Sequence, residues 1–176
     1  NIISLLEYMS KKMNFKVLLV SATIPYELST LPKIPCPESI KQRYLNHVQK
    51  RILFQPKQNP FDNGSKLSNE KKTLVMANTR KKCLNLFSTL NPSVSAKDIY
   101  YLSAGIRKKT RQGKILEIKN STNALVFSTQ VLEAGVDTSF LTIYRELAPL
   151  DNIVQVLGRL DREGEYKGKA TLTIFK

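Results

Sequence analysis

One histidine, His47, and two cysteines, Cys36 and Cys83, are the whole supply of these residues in 176 positions. The cysteines lie far apart, one between prolines and the other in a helical pattern, so neither a paired metal-ligand spacing nor a disulfide framework is present. Both read as free thiols of a reducing compartment. With His47 remote in sequence, Ser21 has no evident base, which argues against a serine nucleophile. No Gly-x-x-x-x-Gly-Lys-Ser/Thr loop occurs to cradle phosphates, and no Asp-Glu-x-His/Asp box to hold magnesium. No apolar run approaches the ~18 to 20 residues needed to span a bilayer, and the opening residues lack a signal-peptide pattern. These absences predict no metal ligand set, no membrane partner and a cytoplasmic location.

Acidic residues are also scarce. Fourteen Asp and Glu stand against 28 Lys and Arg, a formal net charge of +14. Such an excess attracts polyanions, nucleic acid first among them, with an affinity that falls as salt is added. The blander role, keeping the chain soluble or offsetting an acidic neighbour, stays open on charge alone. A hydrophobic content of 41% suits one globular domain large enough to bury a core.

Along the chain, Ile2, Leu5, Leu6, Met9 and Met13 repeat at three and four residues and predict a helix with one buried stripe, stopped at Asn14. Residues 15–20 read as a buried strand. Pro25, Pro32, Pro35 and Pro37 then predict an extended connection, the best candidate for a hinge. Residues 40–54 are ambiguous except for a strand at 51–54, and 56–72 read as a polar, mobile surface loop. From 73 the pattern alternates: strand 73–77, helix 80–90, strand 98–102, helix 108–119, strands 124–128 and 141–145, helix 151–160, strand 170–175. Apolar strands separated by amphipathic helices predict an α/β domain, a parallel sheet covered on both faces. Ser21, Asn78, Ser103 and Thr129 each follow a predicted strand, which points to one shared working edge.

The chemistry sits in four places. Arg159 and Arg162, three apart on the last predicted helix, would point the same way. Set opposite a nucleotide held by another domain, such a pair can neutralise charge on a departing phosphoryl group, although a solvated basic helix end has the same pattern. Gln155, placed at the start of that helix, could reach a γ-phosphate or an attacking water, or simply lie on the surface. Thr129 is either a helix cap or a phosphate ligand; Gly135 permits a close backbone approach; Asp137 can accept from a ribose or pair with an arginine of the next motif. Asn78, Thr79 and Arg80 open a helix whose first amides favour a phosphate, and Arg107, Lys108, Lys109 and Arg111 form the densest basic run.

Ser21-Ala22-Thr23, the stretch from Ser128-Thr129-Gln130 to Glu133-Ala134-Gly135-Val136-Asp137, and Gln155-x-x-Gly158-Arg159-x-x-Arg162 occur in the order of motifs III, V and VI of superfamily-two helicases. With Ser-Ala-Thr-Ile-Pro (21–25), Ala-Asn-Thr-Arg (77–80), Tyr-Leu-Ser (101–103) and Tyr-Arg-Glu-Leu-Ala-Pro-Leu-Asp (144–151), the chain resembles the helicase-nuclease that degrades target DNA in type I CRISPR interference. The resemblance covers roughly residues 15–175, least clearly 28–72. It implies a fragment: 1–25 closing a first RecA-like lobe, 26–72 connecting, and 73–176 forming the body of the second, C-terminal helicase lobe.

By the same resemblance, Arg159 and Arg162 are arginine fingers, with Gln155, Gly135 and Asp137 beside ATP. Thr129, Asn78, Thr79, Arg80, Ser103 and Arg111 lie near the translocated single-stranded DNA, and Ser21, Ala22 and Thr23 couple nucleotide state to lobe closure. ATP with Mg2+ is expected mainly on a first lobe not in this chain, so the fragment alone is expected to be inactive. Expected partners are that lobe, a nuclease domain or subunit, and the CRISPR RNA-guided surveillance complex. Two departures stand out: Val156, where arginine is usual and whose loss would remove a cation from the cleft, and Asp161, expected to pair with one finger at rest. Another superfamily-two DNA or RNA helicase, or a non-catalytic nucleic-acid-binding module, are the alternative readings.

Overall fold

A computed structural model describes residues 2–17, 35, 37–39, 42, 50–55, 67, 71–90, 94, 98–132, 136–166 and 168–176. The chain divides into two compact units, Asn1–Ile34 and Pro35–Lys176. In the first, helix α1 spans Ile2–Met13. It ends at Asn14, whose left-handed φ of 51° lets the amide of Phe15 turn back to the carbonyl of Ser10. Of its predicted stripe, Leu5, Met9 and Met13 are exposed and Leu6 is half-buried. The strand expected at 15–20 is not formed over Phe15, Lys16 and Val17. A strand needs a neighbour to satisfy its backbone groups, and no described segment pairs with this one. Residues 18–34, including Ser21, Ala22 and Thr23, lie outside the described residues.

The second unit is built on six strands: β1 (Lys50–Gln55), β2 (Thr73–Met76), β3 (Asp98–Leu102), β4 (Ala124–Ser128), β5 (Thr142–Glu146) and β6 (Ala170–Phe175). Helix α2 (Arg80–Leu90) links β2 to β3, α3 (Lys108–Asn120) links β3 to β4, and α4 (Leu150–Leu157) lies between β5 and β6. The sheet order is β1-β6-β5-β2-β4-β3, and every pair is parallel. This is the α/β architecture the alternation predicts.

Both faces of the sheet are covered, which explains why β2 and β4 read as continuous apolar runs. Leu74, Met76, Val126, Ile143 and Leu172 face one core with Ile118 of α3 and Val156 of α4. Val75, Leu125, Phe127 and Tyr144 face the other with Cys83 and Leu90 of α2. The faces follow the direction of travel: the step from β2 out to β3 uses one, and the returning steps through α3 and α4 use the other, as a uniform crossover hand requires. Burial pushes the Cys83 thiol up to about 12. Leu67, inside the stretch expected to be a mobile surface loop, is fully buried in the α2 core, and Lys72 is buried at its end. Polar neighbours hid a leucine that packs into the core.

Candidate nucleic-acid and nucleotide edges

Because all strands run the same way, their carboxyl ends form one edge and their amino ends the other, roughly 16 Å apart for a five-residue strand. The candidate residues divide between the two. Asn78, Thr79 and Arg80 after β2, Ser103 after β3 and Thr129 after β4 share the carboxyl edge, and the ladder continues into it: Ala77 N donates to Ser128 O at 3.0 Å and Thr129 N to Leu102 O at 3.2 Å. Asp137 and Arg159 to Arg162 lie at the amino edge, beside Phe140 before β5 and Lys72 before β2.

At the carboxyl edge Thr79 caps α2, its Oγ1 accepting from Lys82 N at 3.2 Å. Arg80 lies across Gly105 in the turn after β3, so closely that a β-carbon at 105 would sit 2.6 Å from Nη2. Ser103 and Thr129 are buried, whereas Arg107, Lys108 and Lys109 are exposed where α3 begins and Arg111 is half-buried on its first turn.

Asn78 differs from expectation. Its side-chain Oδ1 accepts from Arg145 Nη1 at 2.6 Å and its Nδ2 donates to Leu147 O at 2.8 Å. Its backbone N donates to Glu146 Oε2 at 2.7 Å, and its carbonyl accepts from Gln130 Nε2 at 3.1 Å. These four bonds make Asn78 a junction between loops. Arg145, fully buried, and Glu146, also paired with Lys82 at 3.0 Å, drew no role from sequence. The signal was there: an arginine in the inward phase of a strand whose neighbours are Ile143 and Tyr144 must be held by something.

At the amino edge Asp137 meets Arg162 Nε at 3.2 Å through Oδ1 and Lys119 Nζ at 3.4 Å through Oδ2. The Arg162 amide donates to Ser139 Oγ at 3.0 Å. Arg159 is nine-tenths covered; burial first and the charge of Arg162 second push its pKa down, and Asp137 opposes them. Lys72, which donates to Lys119 O at 3.0 Å, is lowered chiefly by burial, against the raising effect of Glu165 and Glu163.

The last helix is shorter than expected. It closes at Leu157, Gly158 and Arg159 turn away, and Leu160 bridges Phe140. Gln155 is exposed near the end of α4, not at its start, and the two arginines share no helical face. Asp161 takes a left-handed φ of 44°, reversing the chain so that Arg159 is covered and Arg162 is exposed. Among the described residues it makes no ion pair with Arg159 or Arg162: its Oδ1 accepts from Tyr166 N at 3.1 Å, while its Oδ2 and Thr138 Oγ1 are buried without a hydrogen-bond partner. Val156 is fully buried on the inner side of α4. Position 156 therefore belongs to the core in this chain, where valine packs with the sheet. Gly135 lies outside the described residues. Among the described residues no group of three His, Cys, Asp or Glu is placed to hold a metal ion, and no helix is long and apolar enough to cross a membrane.

Residues 69–165 match the protein family described as CRISPR-associated nuclease/helicase Cas3, C-terminal. The chain is 27% identical over 184 residues to the CRISPR-associated nuclease/helicase Cas3 of Methanothermobacter thermautotrophicus, covering 90% of this chain and 22% of that protein. The crystal structure of T. fusca Cas3 with ADP is similar with a TM-score of 0.60 at 15% identity, over 73% of this chain and 18% of that one. The C-terminal domain of the DEAD-box protein Dbp5 is similar with a TM-score of 0.54 at 16% identity, over 75% and 78% of the two chains. The chain spans about a fifth of the length of these Cas3 proteins. The sheet is that of a RecA-like helicase lobe.

Proposed function

This chain belongs to the family of the C-terminal region of the CRISPR-associated nuclease/helicase Cas3, and on that premise we propose that it is the second motor lobe of an ATP-dependent helicase moving along single-stranded DNA in CRISPR interference. The observation that carries this reading is the division of chemistry between the two edges of one sheet. At the amino edge, Arg159 and Arg162 offer guanidinium forks suited to phosphate oxygens, and Asp137 offers acceptor oxygens suited to a ribose once its pair with Arg162 opens. This donor set fits a nucleotide presented from another surface. ATP and magnesium are assigned mainly to the first RecA-like lobe, and nucleotide hydrolysis supplies the energy that opens and closes the cleft. Arg159, Arg162 and Asp137 bind and orient from this side. Gly135 beside the nucleotide and Ser21, Ala22 and Thr23 as the coupling segment are carried from the family.

At the carboxyl edge, Thr79, Arg80, Ser103, Arg111 and Thr129 hold phosphates of the strand, with the exposed basic start of α3 supplying longer-range attraction. Alternating grips by two such lobes ratchet the strand. A nuclease domain or subunit and an RNA-guided surveillance complex are the partners that family membership favours. In the complete protein, Arg162→Ala is expected to lower ATP turnover by on the order of a thousandfold while DNA affinity without nucleotide stays the same. A steady-state hydrolysis assay with a parallel DNA-binding titration checks this, and undiminished turnover would remove the arginine-finger assignment.

A further inference from the structure

Asn78 joins its own loop after β2 to two segments distant in sequence: the turn after β4 through Gln130, and the end of β5 through Arg145, Glu146 and Leu147. The central member is Arg145, a guanidinium with no exposed surface, whose Nη1 bonds both Asn78 Oδ1 at 2.6 Å and Glu146 O at 3.0 Å. Burying a guanidinium is costly unless hydrogen bonds compensate it, and those bonds then hold their partners in one geometry. Lysine in its place would end in a flexible, more strongly hydrated ammonium instead of a rigid planar group, and would hold the two acceptors less firmly. Two of the joined loops are those that carry Thr79 with Arg80 and Thr129.

We propose that Arg145 is a positioning residue for the nucleic-acid strand: through Asn78 it locks the loops after β2 and β4 at a fixed separation, so that the phosphate-facing groups of both are set before the strand arrives. The inference rests on the reading of the carboxyl edge as the strand site. It gives the Ala-Asn-Thr-Arg segment a division of labour, in which Asn78 fixes the frame and Thr79 and Arg80 meet the strand. Arg145 itself never touches a phosphate. Preorganisation of this kind raises affinity by removing the ordering cost of binding.

The test uses the complete protein and a fluorescent single-stranded oligothymidine, titrated over a series of salt concentrations. Arg145→Lys and Gln130→Ala are each expected to weaken binding by roughly threefold to tenfold, the scale of one lost internal hydrogen bond. Arg145→Lys leaves the slope of log affinity against log salt unchanged, whereas Arg80→Ala reduces that slope by about 0.7, one phosphate contact on a single strand. The double variant Arg145→Lys with Gln130→Ala binds no more weakly than Arg145→Lys alone, because both changes act through Asn78. Should Arg145→Lys fail to fold, Gln130→Ala decides alone, since Gln130 is exposed: amide hydrogen exchange at Asn78, Thr79 and Arg80 is expected to quicken although the substitution is in another loop. Native exchange and native affinity in Gln130→Ala, additive losses in the double variant, or a slope reduced by Arg145→Lys would each overturn the positioning role. If Arg80→Ala and Arg111→Ala also bind normally, the strand-edge reading itself fails, and this inference with it.

Discussion

Asp161 shows how one backbone angle decides what two arginines can do. Its φ of 44° is a region that Gly, Asn and Asp enter with least strain, and alanine there meets its own carbonyl neighbour. The turn is held on both sides, by the Phe140 and Leu160 bridge before it and by Tyr166 N on its carboxylate after it. Asp161→Ala is therefore expected to cost about 2 kcal/mol, from strain and a lost acceptor together. Asp161→Gly keeps the angle but not the acceptor and should cost less; Asp161→Asn keeps both and should cost least. Urea denaturation of the three variants checks the order, and an alanine variant as stable as the asparagine one would contradict it. By contrast, the Asp137 and Arg162 pair is well exposed on both sides, so its contribution to stability is small and its interest is where it holds the guanidinium. Sequence exposed the identities of these residues but not this geometry. Spacing of three suggests a common helical face, and only the early end of α4 shows that Arg159 and Arg162 are separated by a reversal.

At the scale of elements, legibility followed burial. Strands β2 and β4, apolar on both faces, and helix α2, with its Cys83 and Leu90 stripe, fall within a residue of where their patterns place them. Errors came where tertiary contacts override a local pattern. Leu67 is buried inside a polar stretch, and Val156 completes the core although the resemblance favours arginine there. Helix α1 is the reverse case: the period predicts the helix correctly but not the exposure of Leu5, Met9 and Met13. Val156 gives a test that separates the two readings of its position. If it lined a cleft, Val156→Arg would be tolerated and strengthen phosphate binding. Since it packs with Ile143, Leu172 and the rest of the α3 and α4 core, an arginine there buries an unpaired charge. The expected outcome is a loss of about 3 kcal/mol or more in stability, read as a lower Tm, with no gain in ATP turnover at temperatures where the variant remains folded.

On the scale of the whole molecule, the separation of the two edges makes a demand of its own. Proposed nucleotide groups and proposed strand groups lie about one strand length apart, too far for direct contact, yet β4 and β5 connect them: the segment carrying Asp137 runs on from Thr129, and Arg145 stands at the far end of the strand that Phe140 and Leu141 lead into. Any influence between the edges is a coupling free energy, and coupling is reciprocal. In the complete protein, a non-hydrolysable ATP analogue is expected to change single-strand affinity by some factor, and the strand to change analogue affinity by the same factor, commonly between about 5 and 150. Arg162→Ala should bring both factors close to one while sparing DNA affinity in the absence of nucleotide, because it would remove the proposed nucleotide contact and leave the carboxyl edge intact. Paired titrations at fixed salt measure both factors, and salt must be fixed because a chain of net charge +14 binds polyanions through a strongly screened field. Persistence of the full coupling in Arg162→Ala would mean that the nucleotide is read by other groups, and the division of labour between the edges would have to be redrawn around them.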